Sequence, residues 1–183
     1  FWAEGTAVKL PDFKAENGRG GAVVSAVPLC HGIAALTGLD FICPEGATGE
    51  INTDFESKLR AALDILSEHD FAAVHVEAPD ECTHNGDLKG KLQAIEWLDA
   101  RMIRPLDAAM RERGWDYRLL FLSDHKTLTS TRGHDGDPVP YMIYDSRHDS
   151  GCGRPYTEEG GAEGPQVNSG VALMSMLFER CKA

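Results

Sequence analysis

The stretch FAAVHVEA at positions 71 to 78 is apolar along nearly its whole length, with little alternation between faces. Half-buried strands alternate polar and apolar residues, so a run of this kind reads as a central strand covered on both sides. The next forty-five residues tighten the constraint. Leu88, Leu92, Ile95, Leu98, Met102, Leu106 and Met110 recur at helical spacing, the pattern of a long amphipathic helix. A second apolar run, YRLLFLS at 117 to 123, comes after it. Strand, helix, strand in this order implies βαβ crossovers, and therefore an α/β fold with a largely parallel sheet between helices on both faces.

The remaining segments fit that alternation. AVVSAV at 22 to 27, a short run at 41 to 43 and PVPYMIYD at 138 to 145 are β-prone. Phe55, Leu59, Ala62, Leu63 and Leu66 mark a helix over 55 to 69, with Asp54 able to cap its start. A last helix is expected over 167 to 180. Pro105 lies inside the long helical stripe and should kink or split it, at about 3 kcal/mol in a regular helix. The first twenty residues, the turn-rich PEGATGEINTD and the polar stretch 145 to 164 read as irregular. No repeat or internal boundary is visible, so the expectation is one α/β domain over 1 to 183. Because the chain opens on Phe1, that domain is expected to be a piece of a longer protein.

Composition narrows the function. A formal charge of −11, from 29 acidic and 18 basic residues, argues against a grip on nucleic acid. A small anionic substrate is still compatible, because metal ions held by some carboxylates would reverse the local field. The sequence has no apolar run of about 18 residues and no signal-peptide pattern at its start, so no membrane partner is expected. Five cysteines with no CxxC spacing suggest neither a disulfide framework nor a zinc ribbon, and point to a reduced, cytoplasmic setting.

In α/β sheets, ligands bind beyond the C-terminal ends of the strands. After FAAVHVEA come Asp80 and His84; after YRLLFLS come Asp124 and His125, with His134 on the following loop. Residues four apart share one face of a helical turn, as two ligands of one ion must. Carboxylate oxygens mixed with imidazole nitrogens suit Zn²⁺, Mn²⁺ or similar ions. An isolated Asp-x-x-x-His is as readily a capped helix start with a surface histidine; two acid-histidine pairs at strand ends, with a third histidine nearby, favour metal. His69, His75 and His148 read as structural or solvated, and Cys82 as a small buried thiol. Ser123, Asp124 and His125 are successive residues and cannot form a hydrolytic triad. No phosphate loop of the P-loop kind is present.

The stretches SAVPLCHGIAALTGLD, PEGATGEINTDFESK, VHVEAPDECTHNGD, FLSDHKTLTSTRGHDGDPVPYMIYD and NSGVALMSMLFER cover most of the chain. In this order they resemble the archaeal-type branch of the cofactor-independent phosphoglycerate mutases, in the alkaline phosphatase superfamily, specifically the C-terminal part of the metal-binding domain. The resemblance implies an incomplete alkaline phosphatase-like fold, without the N-terminal strand and the lid domain. It also implies two divalent ions (Mn, Zn or Mg), one held by Asp80, His84 and His134. Asp124 and His125 would hold the other, together with an upstream aspartate and the serine nucleophile.

The implied reaction interconverts 3- and 2-phosphoglycerate, a glycolytic step, through a phosphoserine intermediate. This chain would then carry metal ligands but no catalytic nucleophile, leaving it inactive alone and its metal sites empty or half-formed. His31 stands where the family commonly carries a lysine, and is a candidate substrate contact or an exposed loop histidine. A related phosphotransferase or phosphatase, such as a proposed homoserine kinase, and a non-catalytic α/β binding domain are the alternatives.

Overall fold

The structure is a computed structural model that describes residues 8–148 and 151–178. The opening residues FWAEGTA, Cys181, and the Glu179 and Arg180 end of the last expected helix lie outside them. The chain forms two compact units: residues up to Cys82 with Asp87–Leu106, and Thr83–Gly86 with the residues from Asp107 onward.

The first unit opens with a short helix, α1 (Phe13–Asn17), capped by the Asp12 carboxylate, which accepts from the Ala15 N–H at 2.8 Å. It continues through β1 (Gly21–Val24), α2 (Pro28–Thr37), β2 (Asp40–Ile42), α3 (Phe55–Glu68) and β3 (Phe71–Val74). The three strands form a parallel sheet in the order β2-β1-β3. Parallel neighbours need crossovers, and these run in opposite directions across β1. Right-handed connections therefore put α2 and α3 on opposite faces. Ala22 and Val24 of β1 pack with Ile65 of α3. The GRGG stretch, read from sequence as irregular, ends inside β1. Gly21 pairs with Phe71 so closely that a Cβ would lie 2.1 Å from the Phe71 carbonyl oxygen, hence the glycine.

Helix α3 starts where expected, with the Asp54 carboxylate accepting from the Ser57 N–H at 2.8 Å. Its buried face differs from the expected stripe. Phe55, Lys58, Ala62 and Ile65 turn inward, whereas Leu59 and Leu66 are half-buried. Strand β3 is shorter than FAAVHVEA because Ala78 already begins α4 (Ala78–His84).

The long helical stripe is continuous but not uniform. It runs as α5 (Leu88–Leu98), a π-helical turn (Asp99–Ile103) and α6 (Arg104–Glu112). Pro105 therefore neither splits the helix nor ends it. Proline lacks an N–H and crowds the carbonyl four residues back, and a widened turn, with the Arg104 N–H bonded to the Asp99 carbonyl, accommodates it. Within α5 the buried positions are Gly90 and Ala94, while Leu88, Leu92 and Ile95 are exposed. Phe55, Ala78, Ala94 and Met102 form the core there, with Trp97 edge-on to Phe55.

The second unit contains β4 (Arg118–Leu122), β5 (Lys126–Leu128), β6 (Gly133–Asp135), β7 (Tyr141–Asp145), α7 (Glu158–Ala162) and α8 (Gly170–Phe178). Strand β4 pairs antiparallel with β7, and β5 with β6 as a hairpin. Parallel pairing is thus confined, among the described residues, to the first unit's sheet. Arg118 donates to Asp145 at 2.7 Å and to the Met176 and Leu177 carbonyls, tying the end of α8 to β4. No helix among the described residues is long and apolar enough to cross a membrane.

Candidate metal centre

Helix α4 begins directly after the strand-end segment. The Asp80 and Glu81 N–H groups both bond the Glu77 carbonyl, at 2.8 and 3.1 Å, closing its first turn. Pro79 is tolerated there because first-turn N–H groups need no intrahelical partner, and Asp80 and Glu81 complement the positive helix end. Asp80 and His84 consequently stand one turn apart, their ligand atoms within 4.8 Å of each other.

His134 is delivered by the β5–β6 hairpin, where it pairs with Thr127, rather than by a loop as the sequence suggested. The hairpin loop closes at Arg132, whose N–H bonds the Leu128 carbonyl at 2.8 Å. Arg132 has φ 56, the left-handed region that non-glycine residues seldom occupy. Its carbonyl lies 2.7 Å from His84 Nδ1. A carbonyl can only accept, so Nδ1 is the protonated nitrogen of this contact, and in the neutral ring that leaves the lone pair on Nε2. That Nε2 lies 3.0 Å from His134 Nε2.

These residues fit a divalent ion. Two nitrogens at about 2.0–2.1 Å from one tetrahedral ion would be roughly 3.3 Å apart, near the observed separation. The Nδ1–H donated to a backbone carbonyl is the usual support of a ligating histidine. Imidazole donors suit Zn²⁺ and similar ions.

Asp124 and His125 also meet. The Asp124 carboxylate accepts from the His125 backbone N–H at 3.0 Å, and its other oxygen lies 3.3 Å from His125 Nε2. His125 Nδ1 faces the Lys126 carbonyl and Thr127 Oγ1, each at 3.3 Å. The His125 ring lies against that of His134, with centroids 3.8 Å apart.

His31 is not in a loop. It sits on α2, exposed, with its ring stacked on Phe41 at 4.6 Å between centroids. His69 closes α3 and lies 3.9 Å from Asp40, and His148 is exposed in the polar stretch. Cys82 is buried, and burial, followed by the neighbouring carboxylates of Asp87, Glu50 and Glu81, pushes its thiol up and keeps it protonated.

Sequence reasoning missed a polar cluster at the C-terminal ends of the parallel strands. Lys58 is 1% exposed and donates to the Thr48 and His75 carbonyls, both at 3.2 Å. Burial pulls its ammonium down from the ordinary lysine range, against the pull of Cys43, Glu77 and Cys30. Ser25, fully buried at the end of β1, lies 3.2 Å from His75 Nδ1. Glu77, Asp80 and Glu81 bring carboxylate oxygens within 4.8 Å of one another. Burial first, then the charges of Glu81 and Asp80, pushes the Glu77 carboxyl up, with Lys58 opposing. A lysine inside a helical sequence gives no sign that it is buried.

The chain belongs to the Metalloenzyme superfamily, which it matches over residues 1–169. It is 42% identical, over 182 residues, to a Geobacter sulfurreducens protein named "Probable 2,3-bisphosphoglycerate-independent phosphoglycerate mutase", a match covering 98% of this chain and 45% of that relative. The 2,3-bisphosphoglycerate-independent phosphoglycerate mutase of Methanosarcina mazei is 42% identical over 143 residues, 78% of this chain and 36% of its own length. A solved Pyrococcus horikoshii protein aligns with a TM-score of 0.65 at 32% identity, over 74% of this chain and 40% of that one. The cofactor-independent phosphoglycerate mutase of Thermoplasma acidophilum aligns with a TM-score of 0.69 over 92% of this chain and 38% of its own; at 24% identity this likeness shows the fold. The chain spans under half the length of each of these proteins.

Proposed function

We propose that this chain is the C-terminal part of a longer, metal-dependent phosphoglycerate mutase that interconverts 3- and 2-phosphoglycerate, a step of glycolysis. In this reading Asp80, His84 and His134 hold one divalent ion, and Asp124 and His125 contribute to a second. The observation that carries it is the pair of facing imidazoles, His84 Nε2 to His134 Nε2 at 3.0 Å, with the Arg132 carbonyl 2.7 Å from His84 Nδ1. The 42% identity to the Geobacter relative supplies the reaction class. Mn, Zn and Mg are the candidate ions; when bound they would supply Lewis-acid stabilisation of charge on a transferred phosphoryl group.

The chemistry of the chain's own residues sets their parts in this. With its proton on Nδ1, His84 would offer a lone pair at Nε2, and Asp80, one turn back on α4, would add an oxygen donor on the same helix face. Asp124 accepts from the His125 backbone N–H, and its other oxygen stands beside His125 Nε2, so both side chains offer donors to one place. The serine nucleophile and the remaining ligands of the second ion would come from a part of the longer protein outside this chain, so the chain alone would be inactive and its second metal site only partly built. Five cysteines without pairing spacing support a reduced, cytoplasmic setting, and the −11 charge argues against nucleic acid, while a small phosphorylated substrate is compatible with it once bound metal ions reverse the local field.

His31 favours one competing reading, a phosphotransferase with another small substrate, because it replaces a lysine expected near the phosphate. The intact parent should convert 3-phosphoglycerate and should be inactive on homoserine with ATP; the opposite pattern would replace the mutase reading with the kinase. Alanine at Asp80 or His125 in the parent should abolish turnover. Full activity in either variant removes that residue from the site.

A further inference from the structure

Arg132 is the positive-φ non-glycine residue among those described. Such a conformation is unfavourable for a residue with a Cβ and persists where the surroundings hold it. Here it has a visible consequence. The left-handed turn at the end of the hairpin loop points the Arg132 carbonyl at His84 Nδ1, 2.7 Å away. The ladder resumes at once, with Gly133 paired to Leu128 and His134 paired to Thr127. One backbone turn therefore does two things: it starts the strand that presents His134 and supplies the acceptor that decides which nitrogen of His84 carries its proton. The Arg132 guanidinium also lies over Gly86, where a Cβ would come within 2.6 Å of it.

We propose that Arg132 is a positioning residue, whose strained backbone carbonyl locks His84 in the Nδ1–H tautomer and so offers Nε2 to the ion shared with His134. The inference rests on the metal reading above, but its first consequence is visible without metal. The lock belongs to the backbone, not to the guanidinium. Glycine at 132 should keep it, since glycine adopts positive φ freely, and valine should break it, since β-branched residues resist that region.

The test uses the whole chain, histidine-labelled with ¹⁵N and stripped of metal, at about pH 8, above the ordinary histidine range near 6.5. Long-range proton–nitrogen correlation reads the tautomer of His84, assigned by its loss in His84→Gln. Wild type and Arg132→Gly should show Nδ1 protonated, and Arg132→Val a mixture of both tautomers, with His125 unchanged. In parallel, Co²⁺ titration followed by its visible spectrum should show affinity falling about 10- to 100-fold in Arg132→Val and recovering in Arg132→Gly.

An Nε2–H tautomer in wild type overturns the proposal. So does a valine variant with unchanged tautomer, or a glycine variant as impaired as valine. Should valine fail to fold, the wild-type tautomer and the glycine variant still decide it. If the tautomers behave as stated but no variant, wild type included, binds Co²⁺, the lock stands and the metal reading falls.

Discussion

Replacing Lys58 with methionine tests the buried cluster that the sequence did not reveal. Methionine keeps the length and apolar body of the lysine stem, so the change isolates the ammonium. In the native chain Nζ donates to the Thr48 and His75 carbonyls at 3.2 Å each, in a site 1% exposed. Hydrogen bonds from a charged donor contribute about 1.5–3 kcal/mol each, so two amount to roughly 3–6 kcal/mol. The desolvation that lowers the Lys58 pKa takes part of this back. A net loss of about 2–3 kcal/mol at neutral pH is the expected outcome, read by urea unfolding of both chains.

The pH dependence gives the second half of this test. A lysine whose folded pKa lies below its unfolded value binds fewer protons in the native state. Native stability therefore rises with pH between the folded value and the unfolded value of about 10.4. Above the folded value the neutral amine still donates to both carbonyls without the buried charge. The stability gap between wild type and Lys58→Met should therefore widen through the alkaline range approaching 10.4, while other alkaline titrations cancel in the difference. A methionine variant as stable as wild type at pH 7, or a gap that narrows with rising pH, would refute the reasoning.

Two further substitutions probe the two units separately. Phe55→Ala empties a fully buried ring site against Trp97 and should cost about 3–5 kcal/mol, as seen in the midpoint of chemical unfolding. Asp145→Asn leaves the largely covered Arg118 beside a neutral amide and should cost about 3 kcal/mol at pH 7. Bonds from Arg147, and then from Arg118, hold the Asp145 carboxyl well below the usual carboxylate range. Its contribution is fully present above the unfolded value of about 3.9 and is lost as pH falls through the lower folded value. The gap between wild type and Asp145→Asn should close in strong acid; a gap constant down to the acid transition would contradict the assignment.

Much of the architecture was legible because it is local. The Asp54 cap, the 55 to 69 periodicity and the apolar runs at 22 to 27 and 71 to 78 depend on neighbours within a few residues, and each became an element close to its expected place. Asp80 and His84 were paired correctly on one helix face because i, i+4 geometry is a property of the helix itself. Pro105 was read too simply: proline excludes a regular α turn, but a π turn meets the same constraint.

Sequence alone determined the α/β class, the order of strands and helices and the placing of the acid-histidine pairs after two strands, since periodicity and strand-end chemistry are written along the chain. The βαβ crossover expected between the runs at 71 to 78 and 117 to 123 did not form, because those strands joined different sheets. Tertiary structure decided what proximity decides. Strand β4 found β7 as an antiparallel partner, His84 met His134 across 50 residues, and Lys58 entered the core. Each outcome turns on which backbone groups satisfy one another across long loops, and no local pattern encodes that choice.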